Sequence, residues 1–425
     1  MKRKNKTSVF AQIAGTGVLK RRYKMKFNWK KCLAGILCIV GFLLILVKVN
    51  QFEKATLVST TGQSYEKAVV TEITKDNLAE DGNRYGTQEV RVYIKTGTFA
   101  GEEYDAVNPS GSLFGADCEV GSKVIVIVSE SGDNSIVTVY SQDRTGAIYL
   151  FAAFFALVVC LIGGKKGVKA IASLVFTFVC IYYLMFPLIY KGASPILITI
   201  VIAFLSTLVT LGLLGGMTAK TASAIIGTTA GVVIAAVAAL LFGKAAGITG
   251  YNVSDIETLN YVAQNSQIRI GQLLFSGIII ASLGATMDVG MSIASTIQEI
   301  HERNPLLGTK ELFLSGIRVG RDMMGTMTNT LIFAYVGGSL STLVINYAYD
   351  LSYRQLMNSY IIGTEIMQGL SGSLGVVLTV PVTAVIASVL VAREKRTYSK
   401  GIERNLLLIN EKNLIENCMI VIDKS

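Results

Sequence analysis

One acidic residue, Asp288, lies inside a long apolar stretch of the sequence, at residues 270–293. Taking an ionised carboxylate out of water into such a stretch costs several kcal/mol unless the group faces water or a polar partner. A carboxylate held in this way can bind and release a proton or coordinate a cation. Asp288 is therefore our first candidate for chemistry.

If this stretch is helical, Asp288 belongs to a stripe of small and polar side chains. Steps of three and four residues place the stripe on one face of the helix. Its members are Gly277, Ala281, Gly284, Asp288, Ser292, Ser295 and Glu299. The side chains are small toward one end of the stripe and polar toward the other, whereas the opposite face is apolar.

The next hydrophobic segment carries charged and polar residues at the same spacing. They are Arg318, Asp322, Gly325 and Asn329, with Arg321 beside them. Asp288 could pair with Arg318 or Arg321, or accept hydrogen bonds from Asn329 and nearby threonines. Two interpretations stay open: a buried ion pair that fixes the helix register, and a protonatable or ion-coordinating site on a permeation path.

Two further ionisable residues have simpler interpretations. Glu365 stands just before the last apolar segment, where we expect it to complement a helix macrodipole, with a site role as the alternative. His301, the only histidine, lies beside acidic residues in a predicted loop, where we expect a solvated side chain. A single histidine also argues against a histidine-built metal site, and we expect neither metal nor cofactor.

Catalytic signatures are missing from the sequence. It contains no zinc-protease, nucleophile-elbow, phosphate-loop or Cys-x-x-Cys motif. An intramembrane aspartyl protease would need a second deep acid opposite Asp288. We therefore expect that the protein is not an enzyme.

The composition of the sequence indicates the class of protein to which these candidate residues belong. Hydrophobic residues make up 51% of the 425 and charged residues 16%, whereas soluble proteins carry roughly 25% charged residues. Apolar segments of spanning length recur at 145–164, 168–190, 193–217, 221–243, 270–293, 323–345 and 369–392. With one more near the N-terminus, they predict an α-helical polytopic membrane protein of about eight transmembrane helices.

Small residues four positions apart recur within these segments. The pairs are Gly212/Gly216, Gly227/Gly231 and Ser371/Gly375. Such pairs let helix backbones approach closely. We therefore assign these residues to helix packing.

The N-terminal segment 1–31 contains eleven Lys and Arg residues and no acid. It leads into apolar residues, which predicts a cytoplasmic basic segment followed by a signal-anchor helix at 32–49. A cleavable signal peptide is the alternative, but no small-x-small cleavage site follows the apolar run. No recognition motif accompanies the basic residues, so we expect no nucleic-acid partner.

Residues 50–144 form a different kind of sequence, with fifteen acids and eight bases. Alternating apolar residues predict strands at 65–73, 89–95, 123–129 and 135–140, and a weaker one at 55–60. About five short strands suggest a small all-β domain, an OB-like barrel first and an open β-sandwich as the alternative.

Basic residues in the short loops predict the orientation of the helices. With the N-terminus inside, the inner loops carry eight Lys and Arg residues and the outer loops four. The positive-inside rule then places both termini in the cytoplasm. The β domain at 50–144 would be extracytoplasmic, the seven-helix domain would occupy 145–392, and residues 393–425 would form a cytoplasmic tail.

Four longer runs of residues resemble one known family. They lie at 284–295, 311–316, 320–331 and 365–375, and the first reads Gly-Ala-Thr-Met-Asp-Val-Gly. Together they resemble the YibE/F family of bacterial membrane proteins. The resemblance covers most of the chain from the β domain to about residue 392. It implies a multi-spanning bacterial cell-membrane protein, often found with a related family member, whose activity is not established. It also implies a shared polar cluster of Asp288, Arg321, Asp322 and Asn329.

Two functions fit these observations. The first is a secondary transporter or exporter, coupled to protons or Na⁺ through Asp288, with Ser292 and Arg318 in the surrounding polar cluster. The second is a non-transporting scaffold, whose outer β domain binds a partner protein or a cell-envelope component. The expected partners are the lipid bilayer and either a related YibE/F-type protein or a second copy of the chain.

Overall fold

The computed structural model describes residues 29–54, 57, 60–80, 86–109, 115–131, 134–251 and 255–422. Most of the predicted basic segment, residues 1–28, lies outside the described residues, as does the end of the tail. The chain divides into two units, residues 1–52 and 53–425. The first contains helix α1, Trp29–Asn50, whose 22 residues include the predicted signal anchor.

The second unit begins with five strands. They are β1 (Gln63–Lys75), β2 (Thr87–Ile94), β3 (Glu103–Pro109), β4 (Lys123–Ser131) and β5 (Asn134–Gln142). They form a closed barrel in the order β1-β2-β3-β5-β4. Neighbouring strands are antiparallel except for the parallel pair β3–β5. The prediction of a small closed barrel is confirmed, and the open sandwich is wrong.

The barrel encloses valine and isoleucine side chains that alternate along the strands. Val92, Ile94, Val124 and Val126 are completely buried. This alternation is the pattern from which β1, β2, β4 and β5 are predicted. The hydrophobic interior gives the barrel a core of its own.

Strand β3 is not among the predicted strands because a polar residue occupies one of its inward positions. Asn108 is completely buried, and so is Gln88 on β2. The Nδ2 of Asn108 donates to the Oε1 of Gln88 (3.0 Å) and to the backbone oxygen of Ala116 (2.6 Å). The Nε2 of Gln88 donates to the backbone oxygen of Cys118 (3.1 Å). These hydrogen bonds satisfy the buried amides, so the pair is structural.

Helices make up the rest of the second unit. They are α2 (Thr145–Cys180), α3 (Phe186–Tyr190), α4 (Pro195–Gly215), α5 (Ala219–Ala246), α6 (Ile256–Gln264), α7 (Leu273–Arg303), α8 (Thr309–Gly338), α9 (Leu340–Ala348), α10 (Tyr353–Met357) and α11 (Tyr360–Ile422). A π-helical turn, Ile181–Met185, joins α2 to α3.

Among the described residues, five helical stretches are long and apolar enough to cross a membrane. The pair α8 and α9, bent by 61°, passes the same test when taken together and would make a sixth. Our prediction of about eight helices exceeds this number partly because the predicted segments 145–164 and 168–190 lie in one 46-residue stretch, Thr145–Tyr190. The exact number of spans stays a prediction.

That 46-residue stretch is interrupted at Gly164, whose backbone angles (φ 52°, ψ −132°) are not helical. A Cβ atom on Gly167 would lie 2.2 Å from the backbone oxygen of Val159. In a continuous helix, residues eight apart are about 12 Å apart along the axis. The chain therefore reverses sharply at Gly164, between the predicted segments 145–164 and 168–190.

Helices α5 and α11 pack closely through glycine. A Cβ atom on Gly231 would lie 1.8 Å from Thr379 Oγ1, and one on Gly227 would lie 1.9 Å from Thr383 Oγ1. The predicted packing role of Gly227 and Gly231 is confirmed. The assignment of Gly216 to packing is wrong, because this residue ends α4 with φ 70° and has open space at its Cβ position.

Candidate functional site

Helices α7 and α8 position the predicted polar cluster. They form an antiparallel hairpin in which Gly316 contacts Ile297 and Gly320 contacts Ile293. Because the two helices are antiparallel, five residues before Ile293 on α7 and five residues after Gly320 on α8 reach the same level. Asp288 therefore lies level with Gly325. The hairpin therefore brings Asp288 to the height of the polar residues on α8.

Asp288 lies on an open face of α7. Its side chain is exposed, as are Gly277, Ala281 and Gly284. No atom lies within 4 Å of a Cβ position on Gly277 or Gly284. The predicted stripe from Gly277 to Asp288 therefore exists, and there is open space at the Cβ positions of both glycines, although Gly277 also lines a cavity with residues of α3.

The stripe changes character beyond Asp288. Ser292 and Ser295 are half-buried, and Glu299 is exposed. The guanidinium of Arg303 donates to Glu299 at 2.8 Å, one helical turn away. This pair lies in solvent-exposed positions, so it contributes little to stability.

The polar residues of α8 are also exposed. Arg318, Arg321, Asp322 and Asn329 all lie on the outer surface of that helix, and the Cβ position of Gly325 has open space around it. We call Asp288, Arg318, Arg321, Asp322 and Asn329 the polar face. It carries two acids and two bases.

The members of the polar face have no side-chain partner in the described part of the chain. Among the described residues, no ion pair and no side-chain hydrogen bond involves Asp288, Arg318 or Arg321. The hydroxyl groups of Thr326 and Thr330 donate to backbone oxygens of their own helix, each at 2.9 Å. The structure therefore brings Asp288 level with its predicted partners but does not join it to them.

Glu365 differs from the expected helix-terminal acid. Helix α11 begins at Tyr360, so Glu365 lies in its second turn, and the first turn contains no acid. The macrodipole interaction falls off within the first turn. The helix-terminal interpretation is therefore wrong, and Glu365 instead lines a cavity with Tyr335.

His301 is buried rather than solvated. Helix α7 continues to Arg303, and His301 in its last turn is 8% exposed, with no hydrogen-bond partner at either ring nitrogen among the described residues. The expected loop is wrong because the helix extends ten residues beyond the apolar segment. The last turns of the helix are polar, so the hydropathy of the sequence does not show where the helix ends.

A buried hydroxyl on α8 is not among the residues predicted from the sequence. Tyr335 is half-buried, and its hydroxyl has no hydrogen-bond partner among the described residues. Nothing in its spacing distinguishes it from an ordinary residue of a span. Nor do the described residues include any group of three or more His, Cys, Asp or Glu side chains that could hold a metal ion.

Comparison with protein families gives a match to a family of membrane proteins. The family described as YibE/F-like protein matches residues 151–393, which begin in α2 and end in α11 and include the whole polar face. The barrel lies outside the matched residues. Comparison with curated proteins and with solved structures gives no match. Since the match covers more than half of the chain, this protein belongs to the YibE/F-like family.

Proposed function

We propose that this protein is a secondary transporter or exporter of the cell membrane, in which Asp288 binds and releases the coupling ion, a proton or Na⁺. One observation carries the proposal. Asp288 lies on an apolar helix of spanning length, yet its carboxylate is exposed and has no partner among the described residues.

The absence of a partner matters because of the free energy of ion binding. An ion-paired carboxylate must lose its cationic partner before it binds a proton or Na⁺, and this leaves the buried partner charge uncompensated; removal of one partner of a buried pair costs about 3–5 kcal/mol of stability. Within the described ranges of the chain, Asp288 has no such pair to break. An exposed carboxylate on a membrane-spanning helix still requires water or polar protein around it, since lipid cannot solvate it.

The polar face supports a partner for this protein in the membrane. Its two acids and two bases can pair with the same face of a second copy, or with a related YibE/F-type protein. We propose one of these as the cover of the face, with water between the two surfaces as the ion path. The proposal includes no chemical step, and we propose no enzymatic activity.

The proposed orientation places both termini in the cytoplasm and the barrel outside, as the basic residues of the loops favour. We assign the barrel to the OB type from its strand order. Because the barrel has its own core, a scaffold that binds a partner through this domain is the second candidate function.

A flux measurement separates the two functions. Inverted vesicles that contain the full-length protein are given a proton gradient, and a pH-sensitive dye reports its dissipation on addition of Na⁺ and then of a panel of organic cations and anions. A transporter should dissipate the gradient faster than vesicles from cells that lack the protein, for at least one class. Because a Na⁺-coupled transporter need not move protons, uptake of radioactive Na⁺ is measured in the same vesicles. Equal rates for every class in both measurements would contradict the proposal and favour the scaffold.

A further inference from the structure

A cavity of about 380 Å³ lies between α8, α9 and α11. Helices α8 and α9 meet here at an angle of 61°, and Ser339, between the two helices, lines the cavity. Its walls are mainly apolar, from Ile332, Val336, Leu343, Ile362, Ile366 and Leu370. Sites for small organic molecules typically have volumes of about 300–1,000 Å³, so this cavity lies in their range.

Glu365 is the one carboxylate among the residues that line this cavity, and no Lys, Arg or His lines it. Its side chain is half-buried and makes neither a hydrogen bond nor an ion pair with any described residue. The helix-terminal role is excluded by its position in the second turn of α11. This acid in apolar surroundings therefore has no partner in the part of the chain that the structure describes.

An aromatic ring lies beside this acid. Tyr335 lines the cavity, and its Cδ2 atom lies 4.0 Å from a Cβ position on Gly369, one helical turn after Glu365. The ring therefore packs directly against the backbone of α11. A carboxylate supplies the counter-charge of a cation, and an aromatic face attracts it further.

We propose that this cavity binds an organic cation with an apolar body, such as a hydrophobic amine or a phosphonium ion. Glu365 supplies the counter-charge, Tyr335 supplies an aromatic wall, and the aliphatic side chains contact the apolar body. The assignment of this cation as a substrate class rests on the proposed function. The binding site itself does not depend on that function, because binding can be measured without transport.

Two ions of the same shape and opposite charge provide the test. Tetraphenylphosphonium and tetraphenylborate are added to the full-length protein in an uncharged maltoside detergent, and binding is measured by equilibrium dialysis. We expect saturable binding of the phosphonium ion, about tenfold tighter or more than that of the borate. Equal affinity for the two ions would overturn the proposal.

Variants assign the binding to this cavity. Glu365→Gln should weaken phosphonium binding by about tenfold and leave borate binding unchanged. Ile366→Trp should weaken phosphonium binding by filling the cavity, and Glu257→Gln, which removes an exposed acid on α6, should change nothing. Each variant is compared with the native protein by elution volume and thermal melting. Native phosphonium affinity in a folded Glu365→Gln protein would overturn the proposal.

Competition identifies the source of the cation. Displacement of the phosphonium ion by dodecylamine indicates a free hydrophobic amine, and displacement by phosphatidylethanolamine indicates a lipid headgroup. Either result supports the cation site, and displacement by neither contradicts it. Binding without flux in the vesicle experiment would leave the site standing and remove only the proposed transport.

Discussion

At the scale of single residues, the account depends on the unpaired carboxylate of Asp288. Breaking a buried ion pair would cost about 3–5 kcal/mol. Because no such pair exists among the described residues, Asp288→Asn should change the free energy of unfolding by about 0.5 kcal/mol or less. Thermal denaturation of the detergent-purified protein, followed by circular dichroism, measures this. A large loss of stability that Arg321→Gln restores would show that the pair forms.

The sequence predicted the face on which Asp288 lies but not its lack of a partner. Residue spacing determines which side chains share a helix face. Whether two faces meet depends on how each helix is rotated against its neighbours, and the spacing of Arg318 and Arg321 does not contain that information. For Glu365 the error has a different cause: α11 begins at Tyr360, before the apolar segment from which its start was estimated.

At the scale of elements, the packing of α5 on α11 can be tested with matched glycines. Gly231→Ala places a Cβ atom 1.8 Å from Thr379 Oγ1, so the two helices must separate. We expect a loss of about 1–3 kcal/mol of stability. Gly284→Ala, on the open face of α7, adds a Cβ atom into free space and should be neutral or stabilising.

Thermal melting of the two alanine variants beside the native protein measures the difference. Equal melting temperatures would contradict the close packing of α5 on α11. A loss of stability in Gly284→Ala would instead indicate that the open face of α7 is covered.

The stability of the barrel should depend on pH through the ionisation of Asp143. Hydrogen bonds from Thr145, and then the ion pair with Lys67 at 3.1 Å, hold the pKa of Asp143 below its usual range. A depressed pKa stabilises the folded state above the unfolded pKa of about 3.9, and this contribution disappears as the pH falls through the folded value. The melting temperature should therefore fall as the solution is acidified below about pH 4.

A soluble fragment of residues 53–146 is suited to this measurement, because the barrel has its own core. Circular dichroism should show a β-rich domain with a cooperative melt. Asp143→Asn should lower the melting temperature at neutral pH and reduce its change on acidification. The same acid dependence in both proteins would exclude Asp143 as its source.

At the scale of the whole molecule, the orientation in the membrane is a prediction from loop charge. Single cysteines in a cysteine-free background test it. One replaces Lys75 on the barrel, and the other replaces Lys165, between the predicted segments 145–164 and 168–190. A membrane-impermeant maleimide should label Lys75→Cys in intact cells. It should label Lys165→Cys only after permeabilisation. The reverse pattern would invert the proposed topology.

The membrane class and the barrel could be predicted because each rests on a repeated pattern. Apolar segments of spanning length recur along the helical part, and alternating valine and isoleucine residues define four of the five strands. The fifth strand could not be predicted, because its inward Asn108 is stabilised by Gln88 on another strand. Long-range hydrogen bonds of this kind leave no periodic signal.

The most direct test of the central claim is the flux of the responsive ion class through vesicles that contain Asp288→Asn. This change keeps the shape of the side chain and removes its titratable charge. The account predicts that Asp288→Asn protein inserts in native amounts but loses proton-coupled flux by about tenfold or more, whereas Glu257→Gln protein retains it. Native flux through Asp288→Asn vesicles would contradict the account.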